Sequence, residues 1–308
     1  MSICTKIPLE ISMPVREAFA AHKPVVALES TVITHGLPYP GNIETLCMLE
    51  QCVRDAGAEP ATIIVWDGIA RVGIGQDVLE SLSQPEHPNL HKLGERDLAM
   101  AFARRYSGGT TVSATMRIAA CAGIDVFATG GIGGVHRGWQ SHWDVSSDLT
   151  ALSSIPVIVV SAGCKAILDI PATLEMLETL AVPVLGWQTD EFPAFYSRQS
   201  GMKIDRVDDL GATAEFWKCH LGLHPHPGGV LLANPIPPQD EIPAAAIEPF
   251  IQSALAEAAA RGICGKALTP FLLDNLSRAT KGESVRANLA LLRNNARLAS
   301  ELAIALKG

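Results

Sequence analysis

The stretch Ala128-Thr-Gly-Gly-Ile-Gly-Gly-Val-His-Arg-Gly138 decides how this chain is read. It grows out of Asp125-Val-Phe-Ala-Thr129, whose apolar run predicts a short buried strand. Four glycines then fill five positions, and His136 and Arg137 lie just beyond. Glycine tolerates positive φ and admits close approach to the backbone. The run therefore reads either as an anion-holding loop, with His136 and Arg137 as charge-assisted donors, or as a tight turn between strand and helix. Two familiar phosphate fingerprints fail. His136 stands where the dinucleotide motif G-x-G-x-x-G wants its third glycine. Gly262-Ile-Cys-Gly-Lys266 has a misplaced first glycine for a P-loop, and Ala267 replaces the Ser/Thr.

On the N-terminal side, Pro24-Val-Val-Ala-Leu28 predicts a central strand ending at Glu29-Ser30-Thr31, where open α/β sheets build sites. Asn42 reads as the N-cap of a helix to about Ala56. Ala61–Trp66 and Ile69–Gly73 read as strands joined by a hairpin turn at Asp67-Gly68. His91-Lys92-Leu93 falls between a loop with Pro85 and Pro88 and a helix expected from Glu95 to Tyr106. Gly108-Gly-Thr-Thr111 introduces a helix from about Ser113 to Ala122, whose free amides are an anion-site candidate.

Beyond the glycine loop, Ser146 or Ser147 caps a short helix through Leu152. Pro156–Ser161, Pro183–Gln188 and Gly229–Ala233 predict further strands. Ala245–Arg261 and Glu283–Leu306 predict helices, with Val285, Leu289, Leu292, Ala296 and Ala299 on one apolar face of the second. Asn288 sits beside that face, and a buried amide there is either a satisfied structural group or a ligand contact. The alternation predicts one α/β domain over residues 1–308, with a mixed or mostly parallel sheet covered by helices.

At 308 residues, with 48% apolar and 18% charged side chains, the chain is a globular protein with a sizeable core. A net charge of −8 argues against nucleic acid as the main partner, so an anionic ligand needs locally placed basic groups. Seven scattered cysteines without a C-x-x-C predict reduced, mostly buried thiols. No signal core and no apolar run of membrane length is present, so a cytoplasmic location without membrane contact is expected.

The ionisable groups Glu29, Lys92, Asp144 and Lys165 fall at strand ends or in glycine- and proline-rich loops. Each alone reads more readily as a solvated surface group, as most lysines and carboxylates are. Lys165 stands out because it follows Pro156–Gly163, a run too apolar for the surface. Desolvation lowers a lysine pKa and frees the amine as a nucleophile toward a sugar carbon or carbonyl. An ion pair with Asp144, Asp148 or Asp169 is the other reading.

Together, Val26-Ala-Leu-Glu-Ser-Thr31, Thr34-His-Gly36, Thr110-Thr-Val112, Ala128–Gly138, Ala162-Gly-Cys-Lys-Ala-Ile-Leu-Asp169 and Ala233-Asn-Pro-Ile-Pro237 resemble the pseudouridine-5′-phosphate glycosidase family, in order, from about residue 8 to 305. The resemblance implies cleavage of the C-glycosidic bond of pseudouridine 5′-phosphate to uracil and ribose 5-phosphate, with a divalent metal, usually manganese, in a homotrimer. It implies Lys165 as covalent nucleophile and Glu29 as proton donor. Substrate binding falls to Lys92, Val112 and Ser146, Ser147 and Asp148, metal binding to Asp144, and further pocket roles to Thr129, His136 and Asn288. Ala166 departs from the serine common after the nucleophile, and Cys219-His-Leu-Gly-Leu-His-Pro-His226 is foreign to the family. Its residue types could bind zinc, but irregular spacing and its proline predict a surface loop.

The chemistry agrees with these roles. A C–C bond offers no basic leaving atom to protonate, so an amine that opens the ribose and leads to an imine, with Glu29 protonating the departing carbon, is a natural route. One carboxylate, Asp144, implies an ion that keeps several waters. The related indigoidine-synthase-A type of enzyme, a Schiff-base aldolase and a non-catalytic sugar-phosphate sensor are the alternatives. The sensor needs neither an acid nor a buried amine.

Overall fold

The computed structural model describes residues 7–83, 90–223, 225–263, 265 and 268–308. Pro85 and Pro88, His224, the segment before residue 7 with Cys4, and Cys264, Lys266 and Ala267 lie outside them. The short apolar runs form one mixed, mostly parallel sheet. Its strands run in the order Leu9–Ile11, Ile69–Val72, Glu59–Trp66, Val25–Leu28, Val126–Ala128, Ile158–Ser161, Val230–Ala233, Val184–Trp187 and Asp205–Val207. The four strands from Val25–Leu28 to Val230–Ala233 are mutually parallel and buried at every position. Such continuous Val/Ile/Leu/Ala runs, with no polar alternation, are what a sheet covered on both faces requires. The Asp67-Gly68 hairpin has φ of 50° and 75° at its two turn residues, as a tight turn between antiparallel strands demands.

Helix Glu283–Ala305 lies across the strands Val25–Leu28, Val126–Ala128 and Ile158–Ser161. Ala287, Ala296, Ala299 and Ala303 on its buried side let it approach closely, and Leu291, Leu298 and Leu302 fill the space between. Val285 and Leu289, expected on the core face, are only half-buried. Leu292, Ala296 and Ala299 are buried as expected, while Val285 lines the cavity at the open end of the helix.

Several expected boundaries shift. Helix Gly41–Asp55 is capped at Pro40, with Asn42 inside its first turn, so Asn42 is not the N-cap. His91–Leu93 is a strand, parallel to Gly108–Thr110, which in turn pairs with Glu59–Trp66. Three-residue strands carry no periodicity, and Gly108-Gly109 disguises one of them. A Cβ at Gly108 would stand 2.2 Å from the His91 carbonyl oxygen, so the pairing itself demands glycine. The helix expected over Glu95–Tyr106 is a 3₁₀ turn at Glu95–Asp97 followed by an α-helix at Leu98–Ala103. Beyond those expected, the described elements include helices Met13–Ala20, Gln76–Leu82, Ile170–Thr179, Leu210–Leu223 and Leu268–Ala279, strands Leu9–Ile11 and Asp205–Val207, and the short turns of helix Val32–Gly36, Trp139–His142 and Pro238–Asp240.

The expected surface loop over Cys219–His226 is helical as far as Leu223, because Trp217 and His220 anchor that helix in the core. The His220 ring nitrogen Nε2 lies 3.0 Å from the Gly228 carbonyl oxygen. Among the described residues no cluster of His, Cys, Asp and Glu could hold zinc there. The cysteines also differ from expectation. Cys121 is disulfide-bonded, and of the free thiols Cys47, Cys52, Cys164 and Cys219 only Cys164 is buried. The other three stand on partly or fully exposed positions of amphipathic helices. Among the described residues no helix is long and apolar enough to cross a membrane.

Candidate active site

Because the strands Val25–Leu28, Val126–Ala128 and Ile158–Ser161 are parallel and in register, the chain leaves all three on the same edge. Glu29 follows the first, Thr129 the second, and the turn to Lys165 the third. Their ends open into a cavity of about 870 Å³. Glu29, Lys92, Val112, His136, Asp144 and Lys165 line it, together with Ser146, Ser147, Asp148 and Asn288. Thr129 lies beneath the wall, 1% exposed. Its hydroxyl donates a short hydrogen bond to Glu29 Oε1. Arg137 does not reach the cavity. Its guanidinium is spent on the Leu168 and Ala166 carbonyls and on Glu248 at 3.1 Å, where it clamps the loop that carries Lys165.

The glycine run is a packing device. None of Gly130, Gly131, Gly133 and Gly134 has a positive φ, and only Gly138 at its end does. A Cβ at Gly133 would stand 2.2 Å from Ser146 Oγ, and one at Gly131 2.7 Å from the Phe195 ring. The Gly133 amide donates to Asp148 Oδ2 at 2.8 Å, while Asp148 Oδ1 accepts from the Ser113 amide at 2.9 Å. One buried carboxylate thus ties the loop to the first turn of helix Val112–Ala122. Each such bond to a charged group is worth about 1.5–3 kcal/mol. The anion-binding role expected of these amides is corrected accordingly at Gly133 and Ser113: their donors are already used. Ser146 caps helix Ser147–Ser154 by accepting the Asp148 amide, as expected.

Electrostatics follow from the burial. Desolvation, the largest influence, pushes the Glu29 carboxyl above its usual range. Lys165, the Thr129 hydroxyl and Lys92 oppose it, and Asp148 reinforces it. Desolvation pulls His136 below its ordinary value, with Lys165 and Lys92 adding to the fall and Asp144 opposing it. The His136 Nδ1 lies 4.0 Å from Asp144 Oδ2, and burial favours the neutral imidazole over the charged donor considered for an anion-holding loop. Lys165 is half-buried, its amide held by the Ile132 carbonyl at 3.1 Å. Asp144 is half-buried and faces the cavity, so a divalent ion held there would keep most of its waters.

Several site residues carried no expectation. Phe195 and Tyr196 form part of the wall, and Phe195 adopts φ 64°, which costs a bulky residue about 1–3 kcal/mol. Its amide bond to the Ala162 carbonyl at 3.1 Å and its contact with Gly131 hold it there. Tyr196 is buried, which pushes its hydroxyl up, and it bonds Ser284. Helix Leu268–Ala279 supplies Thr269 and Leu273 to the opposite wall. Asn295 is fully buried behind Thr129. The rule that singled out Asn288 applies two turns further along the same helix and would have found it.

Residues 14–305 match the sequence family described as indigoidine synthase A like protein. The pseudouridine-5′-phosphate glycosidase of Paracoccus denitrificans (strain Pd 1222) is 50% identical over 302 residues, covering 97% of this chain and 98% of that protein. The protein of the same name from Roseiflexus sp. (strain RS-1) is 52% identical over 304 residues, covering 98% and 97%. Among solved structures, the prealnumycin C-glycosynthase AlnA in complex with ribulose 5-phosphate superposes with a TM-score of 0.90 at 40% identity, over 99% of this chain and 98% of that one. An indigoidine synthase A-like protein from Thermotoga maritima gives 0.88 at 36% identity, over 98% and 97%.

The raised Glu29 carboxyl has a consequence for stability. A folded-state value above 4.5 means that its contribution is complete below that pH and is lost as pH rises through the folded value. Wild-type protein should therefore lose thermal stability relative to Glu29→Gln between pH 5 and pH 8. Parallel melting curves across that range would show that burial does not govern this carboxyl.

Proposed function

The chain belongs to the family of indigoidine synthase A-like proteins and pseudouridine-5′-phosphate glycosidases, and on that premise we propose that it reversibly cleaves pseudouridine 5′-phosphate to uracil and ribose 5-phosphate through a lysine imine. The observation that carries this is the pairing, in one cavity, of a carboxyl that burial pushes above its usual range with a half-buried lysine. The reaction uses Lys165 as an uncharged amine and Glu29 as a protonated acid, and burial favours that form of the carboxyl.

Lys165 Nζ attacks C1′ of the sugar. The N–C1′ bond forms, the C1′–O4′ bond breaks, and O4′ takes up the proton released by the amine. The nitrogen lone pair then forms C1′=N as the C1′–C5 electron pair passes to the base, and Glu29 protonates that carbon. Water hydrolyses the imine and frees ribose 5-phosphate, while the Thr129 hydroxyl steadies the Glu29 carboxylate that remains. Lys92 and the serines at 146 and 147 suit the phosphate, and His136 donates or accepts as a neutral ring.

Asp144 would hold a manganese ion, which would supply positive charge beside the phosphate and its loop. Among the described residues no three His, Cys, Asp or Glu side chains come together as ligands, so an ion on Asp144 would keep most of its waters. A cytoplasmic homotrimer completes the proposal, and sedimentation would read the trimer. The kinship with a C-glycosynthase favours a second reading, in which the same steps run toward C–C bond formation from a pentose phosphate. Incubation with ribose 5-phosphate and uracil distinguishes it by its product. A sensor would have no use for Glu29 as an acid.

Borohydride reduction in the presence of ribose 5-phosphate should fix a sugar adduct on the peptide carrying Lys165 and none in Lys165→Ala, read by mass spectrometry. An unmodified peptide from active enzyme would reject the imine. Asp144→Asn should weaken manganese binding, measured by titration calorimetry, by about tenfold or more. Equal affinity in both proteins would remove Asp144 as the ligand.

A further inference from the structure

We infer that Asn295, held in place by Asn234, is a positioning residue that sets the Thr129 peptide so that the Thr129 hydroxyl meets Glu29. The role presupposes Glu29 as the acid of the reaction above. Asn295 lies on helix Glu283–Ala305 and is fully buried. Its Nδ2 donates to the Thr129 carbonyl at 2.8 Å and to the Gly130 carbonyl at 3.4 Å. Its Oδ1 accepts from Asn234 Nδ2 at 3.0 Å. Asn234 follows strand Val230–Ala233, is itself 4% exposed, and donates its amide to the Ser161 carbonyl at 2.8 Å. The Thr129 amide meanwhile donates to the Val160 carbonyl at 3.0 Å.

Thr129 is thus gripped from both sides of its backbone, by the neighbouring strand and by a side-chain amide. The Gly130 carbonyl also accepts from the Ala162 amide at 2.9 Å, so the shorter bond of the Asn295 side chain goes to the Thr129 carbonyl, a buried acceptor just past the end of Val126–Ala128. The same residue's side chain then has a fixed origin from which to reach Glu29 Oε1. Asn234 leaves the Asn295 amide one orientation, because its Oδ1 must face a donor and its Nδ2 the two carbonyls. The chain Asn234–Asn295–Thr129–Glu29 therefore joins three strand ends and one helix into a mount for the acid. Placement errors of an ångström cost catalysis about 100-fold, so such a mount bears on rate more than on binding.

A purely structural Asn295 would lower stability and leave the Glu29 titration alone. The test follows the Glu29 carboxyl resonance in protein carrying ¹³C-labelled glutamate, assigned by its loss in Glu29→Gln. The Thr129 hydroxyl favours the ionised form, so its displacement raises the titration midpoint. Asn295→Leu, or Asn295→Ala if the leucine variant does not fold, should raise the midpoint as Thr129→Val does, and the double variant should go no further. Uracil release should show kcat down about tenfold or more with KM within about threefold. An unmoved midpoint in a folded variant, or a shift that adds to that of Thr129→Val, would overturn the role. The titration needs no turnover, so wild-type protein that releases no uracil would count against the reaction and leave the Asn295 result standing.

Discussion

The parallel register of three buried strands governs everything else in this molecule. Val25–Leu28, Val126–Ala128 and Ile158–Ser161 must run the same way because each is apolar on both faces and is reached through a covering segment. Once they do, Glu29, Thr129 and the approach to Lys165 cannot avoid one another. The acid and the amine are far apart in sequence, and only the crossovers bring them to one edge. Burial there raises the free energy of an isolated charge and pushes the Glu29 carboxyl up, against the pull of the neighbouring Lys165.

A second layer of constraint is steric. Gly131, Gly133 and Gly134 are not there for unusual backbone angles but because neighbours stand where side chains would be. Phe195 presses on Gly131, Ser146 on Gly133 and Thr173 on Gly134. The Asp148 carboxylate then fastens this thin loop to helix Val112–Ala122, and Arg137 fastens the lysine loop to Glu248. The left-handed Phe195 shows that the surrounding packing is strong enough to hold a residue out of its preferred region. Rigid loops of this kind suit a reaction in which an amine and an acid must address adjacent atoms of one substrate.

Much of the fold was legible because long apolar runs and capped helices are local signals. Pro24–Leu28, Asp125–Thr129, Pro156–Ser161 and Gly229–Ala233 became strands, and Ser146 became a cap. His91–Leu93 and Gly108–Thr110 were hidden, since a three-residue pairing is decided by a distant partner and not by its own period. The expected site residues face one cavity, except Thr129 beneath it, because strand ends and glycine-rich loops are where open sheets build sites. What each oxygen or nitrogen does there was not legible. That Asp148 spends both oxygens on amides, that Arg137 turns outward, and that His136 is neutral all depend on contacts across the fold. Phe195 and Tyr196 went unseen because nothing in their own stretch says which cavity they wall, whereas Asn295 was within reach of the reasoning applied to Asn288 on the same helix.

At the centre stands the claim that the edge shared by these three strands brings one amine to bear on a pentose carbon while one acid faces the departing base. A crystal structure of the protein soaked with ribose 5-phosphate tests it most directly. The account predicts continuous density from Lys165 Nζ to C1 of an opened sugar, with Glu29 on the side where the base would sit. A closed sugar bound elsewhere in the cavity, with the Lys165 side chain turned to solvent, would contradict it.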